Sequence, residues 1–415
     1  MILKPFRGLR PTPAATEALV SPPYDVIDRA EARALASGKP QSFLYVVRPE
    51  VALDEGVSLY DDAVYAAAQN GLQRLISEGA LARDERPAFY LYQQRWRGHV
   101  QTGIVGAAAV DDYDEGRIKK HEHTRRQKED DRARHVDATG ANTGPVFLTY
   151  RATEELDTIV EMLTTEPAMV EVTQAEVEHL LWPIFDEVQL TKIEAAFTKI
   201  EEAYVADGHH RSASASRTRA LRAERNSVHT GAEDYNRFLA VLFPDNQLQI
   251  LPYNRLIRDL NGESVEGFLD KLREDFSLSE CDGGEVSSRG GVHFYLAGRW
   301  YRLALRDEGA DDPVKSLDVS RLQEQILAPI LGIGDPRSDE RISFVGGIRG
   351  TAALERAVDE RRAAIAFSLY PTSIDELLQV ADSGEVMPPK STWFEPKLLS
   401  GLVTHLLDGP PPERP

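Results

Sequence analysis

An acid, a glycine, two histidines and an arginine follow one another directly after a short apolar run. They are Asp207, Gly208, His209, His210 and Arg211. A strand that ends at this glycine, with a helix beyond it, would aim backbone N–H groups and the positive end of the helix dipole at a ligand. The carboxylate suits a metal ion or a substrate hydroxyl, and the histidines and arginine suit phosphate. We therefore expect an anion or phosphoryl site. The alternative is a strand–turn–helix connection whose histidine pair is only a polar surface.

The polar run 119–132 holds a second set of versatile side chains. Its composition predicts a solvated helix with i,i+4 pairs. On such a helix His121 and Arg125 share a face, as do Lys128 and Arg132, and the resulting stripe could face an anion. Four residues of this run are therefore predicted to bind phosphate or nucleotide: His121, Thr124, Lys128 and Arg132.

Glu122 lies between His121 and His123 at the beginning of this run. A carboxylate held close to a hydroxyl is a suitable general base, so Glu122 is a catalytic candidate. The two histidines could also hold a metal. Since two histidines separated by one residue meet at a metal best on a strand, zinc is the weaker interpretation.

Two proline pairs precede further candidate residues. Pro22 and Pro23 keep the backbone extended before Tyr24 and Asp25, which are predicted to shape a substrate pocket. Near the C-terminus, a second pair at 388–389 precedes a lysine and two hydroxyl side chains that suit phosphate. No G-x-x-x-x-G precedes this lysine, so the segment is not a Walker loop. Either segment could instead be only a rigid turn. The candidates after the second pair are Lys390, Ser391 and Thr392.

The elements that would position these residues can be recognised from apolar spacing. Residues 191–203 predict an amphipathic helix that leads into the strand at Tyr204, and 59–78 predict another helix. Residues 89–92 and 102–110 predict an antiparallel hairpin. The apolar run 42–47 is interpreted as a strand. Short strands without regular βαβ alternation indicate an α+β fold with a mixed sheet.

The length of 415 residues exceeds the size at which one core usually stops growing. We expect four regions. An N-terminal α/β region spans 1–150, and a core region with the Asp-Gly-His-His-Arg segment spans 151–261. An inserted helix–hairpin subdomain spans 262–310, and a C-terminal α/β region spans 311–415.

Charge and composition narrow the class of protein. The net charge is −19, which disfavours general affinity for nucleic acid or anionic membranes. The single cysteine, Cys281, excludes an intramolecular disulfide and a cysteine-based zinc cluster. No apolar run suits a signal peptide or approaches the ~20 residues of a membrane helix. These features predict a cytoplasmic protein with small-molecule partners and a possible homodimer.

Several of these segments together resemble the bacterial and archaeal domain-of-unknown-function 1015 family, and the resemblance extends from the first ten residues to about 405. The matching positions are Arg7, Arg10, 21–26, His121, Glu122, Thr124, Asp131, Arg132, 206–211, 387–392, Phe394, Pro396 and Lys397. The Asp-Gly-His-His-Arg segment is also similar to one in free-serine kinases of the ParB/sulfiredoxin fold. After Arg211 the sequence departs from the family pattern, because 212–214 replace aromatic and acidic residues.

The resemblance implies a kinase that phosphorylates the hydroxyl of free serine or of a similar small molecule, with ATP, ADP or pyrophosphate as donor. His209, His210 and Arg211 would hold the donor phosphates together with the turn amides at Gly208. Asp207 would bind Mg²⁺ or take the acceptor proton. The second candidate base is Glu122, and the segment after Pro389 would close over the transferred group. The catalytic candidates are Asp207, Glu122 and His209.

Other classes remain open on the sequence. A non-catalytic regulatory protein could sense a nucleotide or a small anion with the same residues. The ParB/sulfiredoxin fold also serves nucleotide-dependent DNA partition proteins, but no helix-turn-helix is recognisable here and the net charge opposes duplex binding. A metal-dependent hydrolase lacks a clear ligand set. Its candidate ligands would be His121, His123, His209 and His210.

Overall fold

The computed structural model describes residues 1–308 and 311–407. It divides into two compact units. The first consists of Met1–Leu248 and the segment that begins at Pro396, and the second of Gln249–Glu395. The ends of two of the four expected regions, 309–310 and 408–415, lie outside the described residues.

The strands are short and numerous. In chain order they are β1 Leu3–Lys4, β2 Leu9–Pro11, β3 Leu81–Arg83, β4 Phe89–Trp96, β5 His99–Ala109, β6 Ile118–Lys119, β7 Ala141–Asn142, β8 Val146–Tyr150, β9 Val170–Gln174, β10 Val177–Ile184, β11 Ala203–Asp207, β12 Arg237–Pro244, β13 Gln249–Leu251, β14 Tyr253–Ile257, β15 Ser279–Cys281, β16 Gly291–Leu296, β17 Arg299–Ala304, β18 Ile342–Gly346, β19 Ile365–Leu369, β20 Trp393–Glu395 and β21 His405–Leu406.

The helices are distributed over both units. They are α1 Thr16–Leu19, α2 Arg29–Ala36, α3 Leu44–Val47, α4 Asp62–Ser77, α5 Val110–Asp114, α6 Arg126–Thr139, α7 Glu154–Leu163, α8 Glu187–Thr198, α9 His209–Arg225, α10 Val265–Asp275, α11 Asp318–Leu322, α12 Ala352–Asp359 and α13 Ile374–Asp382. A π-helical segment, Gln323–Leu327, continues α11. Short 3₁₀ turns occur at Pro49–Ala52, Asp234–Asn236, Asp245–Gln247 and Gly347–Arg349.

A mixed nine-stranded sheet forms the first unit. Its order is β6-β11-β8-β12-β5-β4-β10-β9, and β1 pairs with β5. The pairs β6–β11 and β8–β12 are parallel, and the others are antiparallel. The predicted hairpin is present as β4 and β5, which turn at Arg97 and Gly98. Together with the helices of the unit, this sheet confirms the predicted mixed α+β class.

The main core of the first unit lies between this sheet and its helices. Helix α8 buries Ile193, Ala196 and Phe197 in the same cluster as Val205 of β11 and Leu148 of β8. Burial of an isoleucine or phenylalanine side chain contributes about 1.5–3 kcal/mol relative to exposure. The helix predicted from apolar spacing therefore packs directly beside the strand that carries the candidate site.

A six-stranded antiparallel sheet forms the second unit, in the order β15-β17-β16-β19-β14-β18. The central strand β19 pairs with β14 and β16, and helix α12 packs Leu354 and Ala357 against Ala366 of β19. Helix α13 begins at a capping box, in which the side chains of Ser373 and Glu376 each accept from the other's backbone N–H. The paired β13 and β20 belong to the same unit.

The strand predicted for 42–47 is wrong, because the structure has helix α3 at Leu44–Val47. A short apolar run does not distinguish a buried strand from a buried helical turn by periodicity. Here the Ser42 Oγ accepts from the Leu44 N–H at 3.3 Å, and Leu44 packs in a second core with Leu72 and Leu75 of α4. Tertiary packing around the turn overrides the β propensity of its valines.

Across the described ranges, no helix combines the length and the apolar character needed to cross a membrane.

Candidate functional site

The Asp-Gly-His-His-Arg segment lies at a strand–turn–helix junction, as predicted. Strand β11 is buried from Ala203 to Ala206, and its register with β8 shifts between Val205 and Asp207. Such a bulge re-aims the side chain that follows it. Gly208 then adopts φ +100°, which L side chains rarely adopt, and α9 begins at His209. The junction therefore places Asp207 beside the positive end of a 17-residue helix.

Arg211 folds back over the glycine turn and connects three segments. Its Nη1 donates to the Pro145 carbonyl, and its Nη2 lies 3.5 Å from the Asp207 Oδ1. The same Nη2 lies 3.7 Å from the Oδ2 of Asp25. A Cβ atom at Gly208 would lie only 2.9 Å from the Arg211 Nε. The glycine therefore provides both the left-handed turn and the space that the guanidinium occupies.

Replacing Gly208 by alanine should destabilise the fold through both effects, since left-handed backbone costs a non-glycine residue about 1–3 kcal/mol and the Arg211 side chain must also move. The matched control is Gly116→Ala, because Gly116 has φ +81° but no atom within 4 Å of an added Cβ. Urea unfolding should show a larger loss for Gly208→Ala than for the control. Equal losses would show that the contact with Arg211 is unimportant.

Lys397 is a functional candidate that sequence reasoning did not assign to the site. Its Nζ donates to the Asp207 Oδ2 at 2.9 Å, and its main-chain carbonyl accepts from the Gln94 side chain at 2.9 Å. Burial alone would raise the pKa of Asp207, but the charges of Lys397 and Arg211 outweigh it and hold this pKa well below its usual range. Asp207 is therefore an anion at physiological pH, held between two cations.

His121 and His209 form a buried pair in the same unit. Their rings meet edge to face with centroids 4.4 Å apart. The His121 ring hydrogen-bonds to the backbone of Val205, while its Nδ1 and the Nε2 of His209 are buried without a hydrogen-bond partner. Burial lowers the pKa of His121 to about 4, and burial together with His121 lowers that of His209. Both imidazoles are neutral near pH 7, so they offer polar ring nitrogens to a ligand and not positive charge.

This pair predicts a stability change with pH. A histidine whose folded pKa lies below its unfolded value of 6.5 stabilises the fold fully above pH 6.5. That contribution is lost as the pH falls toward about 4, and for His121 it amounts to about 3 kcal/mol. His121→Gln should therefore lose less stability than the wild type between pH 6.5 and 4. The exposed His123, changed to Gln, is the control and should retain the wild-type slope in urea unfolding.

Residues 120–125 do not form the predicted helix, which begins only at Arg126. The main-chain N–H of Arg125 donates to the His210 Nε2 at 3.2 Å, and the Thr124 Oγ1 donates to Glu129. The prediction that His121 and Arg125 share a helix face is therefore wrong. A buried histidine pair and the hydrogen bond to His210 hold this segment in a loop. The loop brings His121 to α9 directly.

The other residues of the predicted stripe have separate contacts. Arg132 binds its neighbour Asp131 through Nε and Nη2, at 3.0 and 2.8 Å, and its guanidinium lies 4.4 Å from the Tyr24 ring centroid. Lys128 is exposed, with its Nζ 5.9 Å from the ring centroid of Tyr60. Glu122 is partly exposed. Binding of phosphate or nucleotide by these residues stays a prediction.

A small cavity of ≈ 30 Å³ lies beside Arg211. Its volume holds about one water molecule or one small polar group. Polar and apolar residues border it in similar number, and two of the polar side chains are cationic. The polar side chains include Tyr24, Arg132, His135, Thr143, Arg211 and Ser214. Tyr24 and Asp25, predicted as substrate residues, thus both lie against Arg211 or its cavity.

Lys390, Ser391 and Thr392 belong to the second unit. The Ser391 Oγ donates to the Pro388 carbonyl at 2.7 Å, so this hydroxyl closes its own turn. The Ser391 carbonyl accepts from the Thr372 hydroxyl at 3.0 Å. Lys390 is exposed and has φ +59°. These contacts hold the turn in a defined shape, and phosphate binding by its three residues stays a prediction.

The residues around Asp207 do not form a preformed magnesium site. No group of three or more metal-ligating side chains occurs in the parts of the chain that the structure describes. Both Asp207 oxygens face cations, Oδ2 toward Lys397 and Oδ1 toward Arg211. Magnesium requires near-octahedral oxygen ligation. A carboxylate whose charge is already neutralised by two cationic side chains is a poor ligand for this ion.

The fold and this junction define an α+β protein with a charge-paired carboxylate at the start of a helix. A family model described as "Protein of unknown function (DUF1015)" matches residues 3–320, and the chain belongs to this family. No curated protein sequence matches the chain.

Similar solved structures include SbnI with a C-terminal truncation from Staphylococcus aureus, at 13% identity, with 71% of this chain and 85% of that chain covered and a TM-score of 0.37. A free serine kinase in complex with AMP has 13% identity, coverage of 70% and 86%, and a TM-score of 0.34. A conserved hypothetical protein from Pyrococcus furiosus has 14% identity, coverage of 70% and 90%, and a TM-score of 0.32.

Proposed function

We propose that the protein is a small-molecule kinase that transfers a phosphoryl group from a nucleotide, or from pyrophosphate, to the hydroxyl of free L-serine or a similar metabolite. The observation that carries the proposal is the ionised Asp207, held by Lys397 and Arg211 at the beginning of α9. Phosphoryl transfer needs positioned phosphates, neutralisation of their charge and an oriented hydroxyl. This cluster supplies a group for each requirement.

The donor phosphates are assigned to the cationic side of the cluster. Arg211 and Lys397 carry positive charge, and the first N–H groups of α9 at His209 and His210 point out of the helix start. The Nε2 of His209 and the Nδ1 of His121 are buried without a hydrogen-bond partner and are available to a ligand beside this turn. A phosphate that binds here shares the two cations with Asp207, so the donor would lie beside the carboxylate.

Asp207 is assigned to the acceptor hydroxyl. Its low pKa, set by Lys397 and Arg211 against the effect of burial, makes it a weak acceptor of a full proton. In a loose transition state the hydroxyl proton is transferred late, so a carboxylate that accepts a hydrogen bond and orients the hydroxyl is sufficient. Glu122 is the second candidate for this role. Since the residues present do not fit a magnesium site, Mg²⁺ ligation by Asp207 is left out of the proposal.

The acceptor is assigned to the side of Arg211 that faces Tyr24 and Asp25. The cavity of ≈ 30 Å³ there accommodates one small polar group and excludes a nucleotide. The hydroxymethyl group of serine fits that limit. The proposal also includes a ParB/sulfiredoxin-like core for the first unit, on the motif resemblance, and phosphate binding by Lys390, Ser391 and Thr392.

Phosphorus NMR of the purified protein with MgCl₂, L-serine and ATP, ADP or pyrophosphate tests the proposal. We expect a phosphomonoester signal that requires serine and is lost in Asp207→Asn. Hydrolysis of the donor without that signal would retain the phosphate site and overturn serine as the acceptor. If no donor is consumed at saturating concentrations, the kinase is wrong and an anion-sensing regulatory protein is favoured.

A further inference from the structure

The second unit contains a buried arginine that forms no ion pair with a carboxylate among the described residues. Arg255 lies in the middle of β14 and is 3% exposed. Its Nη1 donates to the Tyr253 carbonyl, and its Nη2 donates to the Lys390 carbonyl at 3.1 Å. The guanidinium also lies 5.5 Å from the ring centroid of Phe344. Two carbonyls and a ring therefore surround a full positive charge.

Such an arrangement is costly by itself. Buried charges in proteins are normally paired, because the desolvation of an ion costs several kcal/mol that dipoles offset only in part. Burial lowers the pKa of Arg255 to about 10, so the side chain stays protonated at neutral pH. Two of its five N–H donors are used by the two carbonyls. The remaining donors and the net charge are features that an anion would satisfy.

A second cation lies near Tyr253. Lys390 is exposed, and its Nζ lies 5.5 Å from the ring centroid of Tyr253, whose carbonyl accepts from Arg255. The left-handed backbone of Lys390, φ +59°, is unfavourable for a side chain with a Cβ. The bond from Arg255 to its carbonyl helps to hold this conformation. A hydrogen bond thus joins Arg255 to the main chain of the 388–392 turn, and the Lys390 ammonium lies near the ring of Tyr253.

We infer that Arg255 and Lys390 form a binding site for the phosphate group of a ligand within the second unit. Two positive charges favour a phosphate dianion over a singly charged carboxylate, and the guanidinium fork matches phosphate oxygens. Arg255 supplies the buried charge and Lys390 closes the site from solvent. The inference extends the proposed function, which names only Lys390, Ser391 and Thr392 from this unit, but it rests on contacts inside the second unit and stands without the kinase.

Lysine footprinting with inorganic phosphate tests the site without serine or nucleotide, so its outcome is independent of phosphoryl transfer. The purified full chain is treated with an amine reagent, and modification of Lys390 is followed by mass spectrometry. At ten times the Kd of phosphate the reaction at Lys390 should slow about tenfold, since the free fraction falls as 1 + [L]/Kd. The exposed Lys271, which pairs with Glu263 in the same unit, is the internal control. Equal slowing by chloride at matched ionic strength would overturn the inference.

Arg255→Met removes the buried charge and keeps the side-chain length. We expect it to abolish the protection of Lys390 by phosphate, while Arg273→Met, at an exposed arginine of the same unit, should retain it. If Arg255→Met does not fold by circular dichroism, Arg255→Lys is used, which keeps the charge without the fork and should require several-fold more phosphate. Unchanged protection in either Arg255 variant would show that Arg255 only supports the turn.

Discussion

Replacing Asp207 by asparagine is expected to reduce phosphoryl transfer by about 10²–10⁴-fold while the protein still binds its donor. The amide keeps the shape of the side chain but removes the negative charge that lies between Lys397 and Arg211. The two cations then face the donor phosphates without competition. Binding of ATP, measured by calorimetry, should therefore be unchanged or tighter, whereas turnover measured by phosphorus NMR should nearly vanish.

Asp137→Asn is the matched control for this variant. Asp137 also pairs with arginines of α9, Arg222 and Arg225, but near the other end of the helix. It should leave both donor binding and turnover at the wild-type level. A folded Asp207→Asn protein with full activity would remove Asp207 from the chemistry, and weaker donor binding would show that the carboxylate contributes to donor binding and does not compete with the phosphates for the two cations.

The junction that carries the site was predictable because its signals are local. A buried apolar run, one glycine and a segment of good helix formers specify a strand, a left-handed turn and a helix in consecutive residues, and the structure has them at Ala203–Asp207, Gly208 and His209–Arg225. The same reasoning correctly expected an α+β class with a mixed sheet. Each of these features depends on residues a few positions apart.

The partners of the site were not predictable in the same way. Lys397 contacts Asp207 from 190 positions away. The only sequence signal for it was that Pro396 and Lys397 are among the positions that resemble the family. The loop 120–125 was interpreted as helix because polarity alone marks solvent exposure. Its His121 is instead buried against His209, a contact that only the tertiary fold creates. Arg255 gave no signal in the sequence, because the absence of a carboxylate partner among the described residues is visible only in the structure.

The ion pair between Lys397 and Asp207 leads to the second large expected effect. Lys397→Met removes the strongest of the influences that lower the pKa of Asp207, while burial, which raises it, remains. In the wild type this pKa is depressed, so its stabilisation is complete above the unfolded value of 3.8 and is lost as the pH falls through the folded value. In Lys397→Met the pKa rises, and an acidic limb should appear in the pH–rate profile where the wild type has none. Turnover at neutral pH should also fall, because a donor-phosphate cation is lost.

A double-mutant cycle separates the ion pair from general damage. The side chains of Lys397 and Asp207 are 19% and 27% exposed, so Lys397→Met leaves a largely buried carboxylate without its main partner. The double variant Asp207→Asn/Lys397→Met removes both charges and should be less destabilised than the sum of the single changes, with an interaction energy of about 0.5–3 kcal/mol in urea unfolding. Lys199→Met, which breaks the exposed pair with Glu155, should have little effect because such pairs contribute little. Additive losses in the cycle would contradict the pairing, and a wild-type pH–rate profile in Lys397→Met would show that the ionisation of Asp207 does not depend on Lys397.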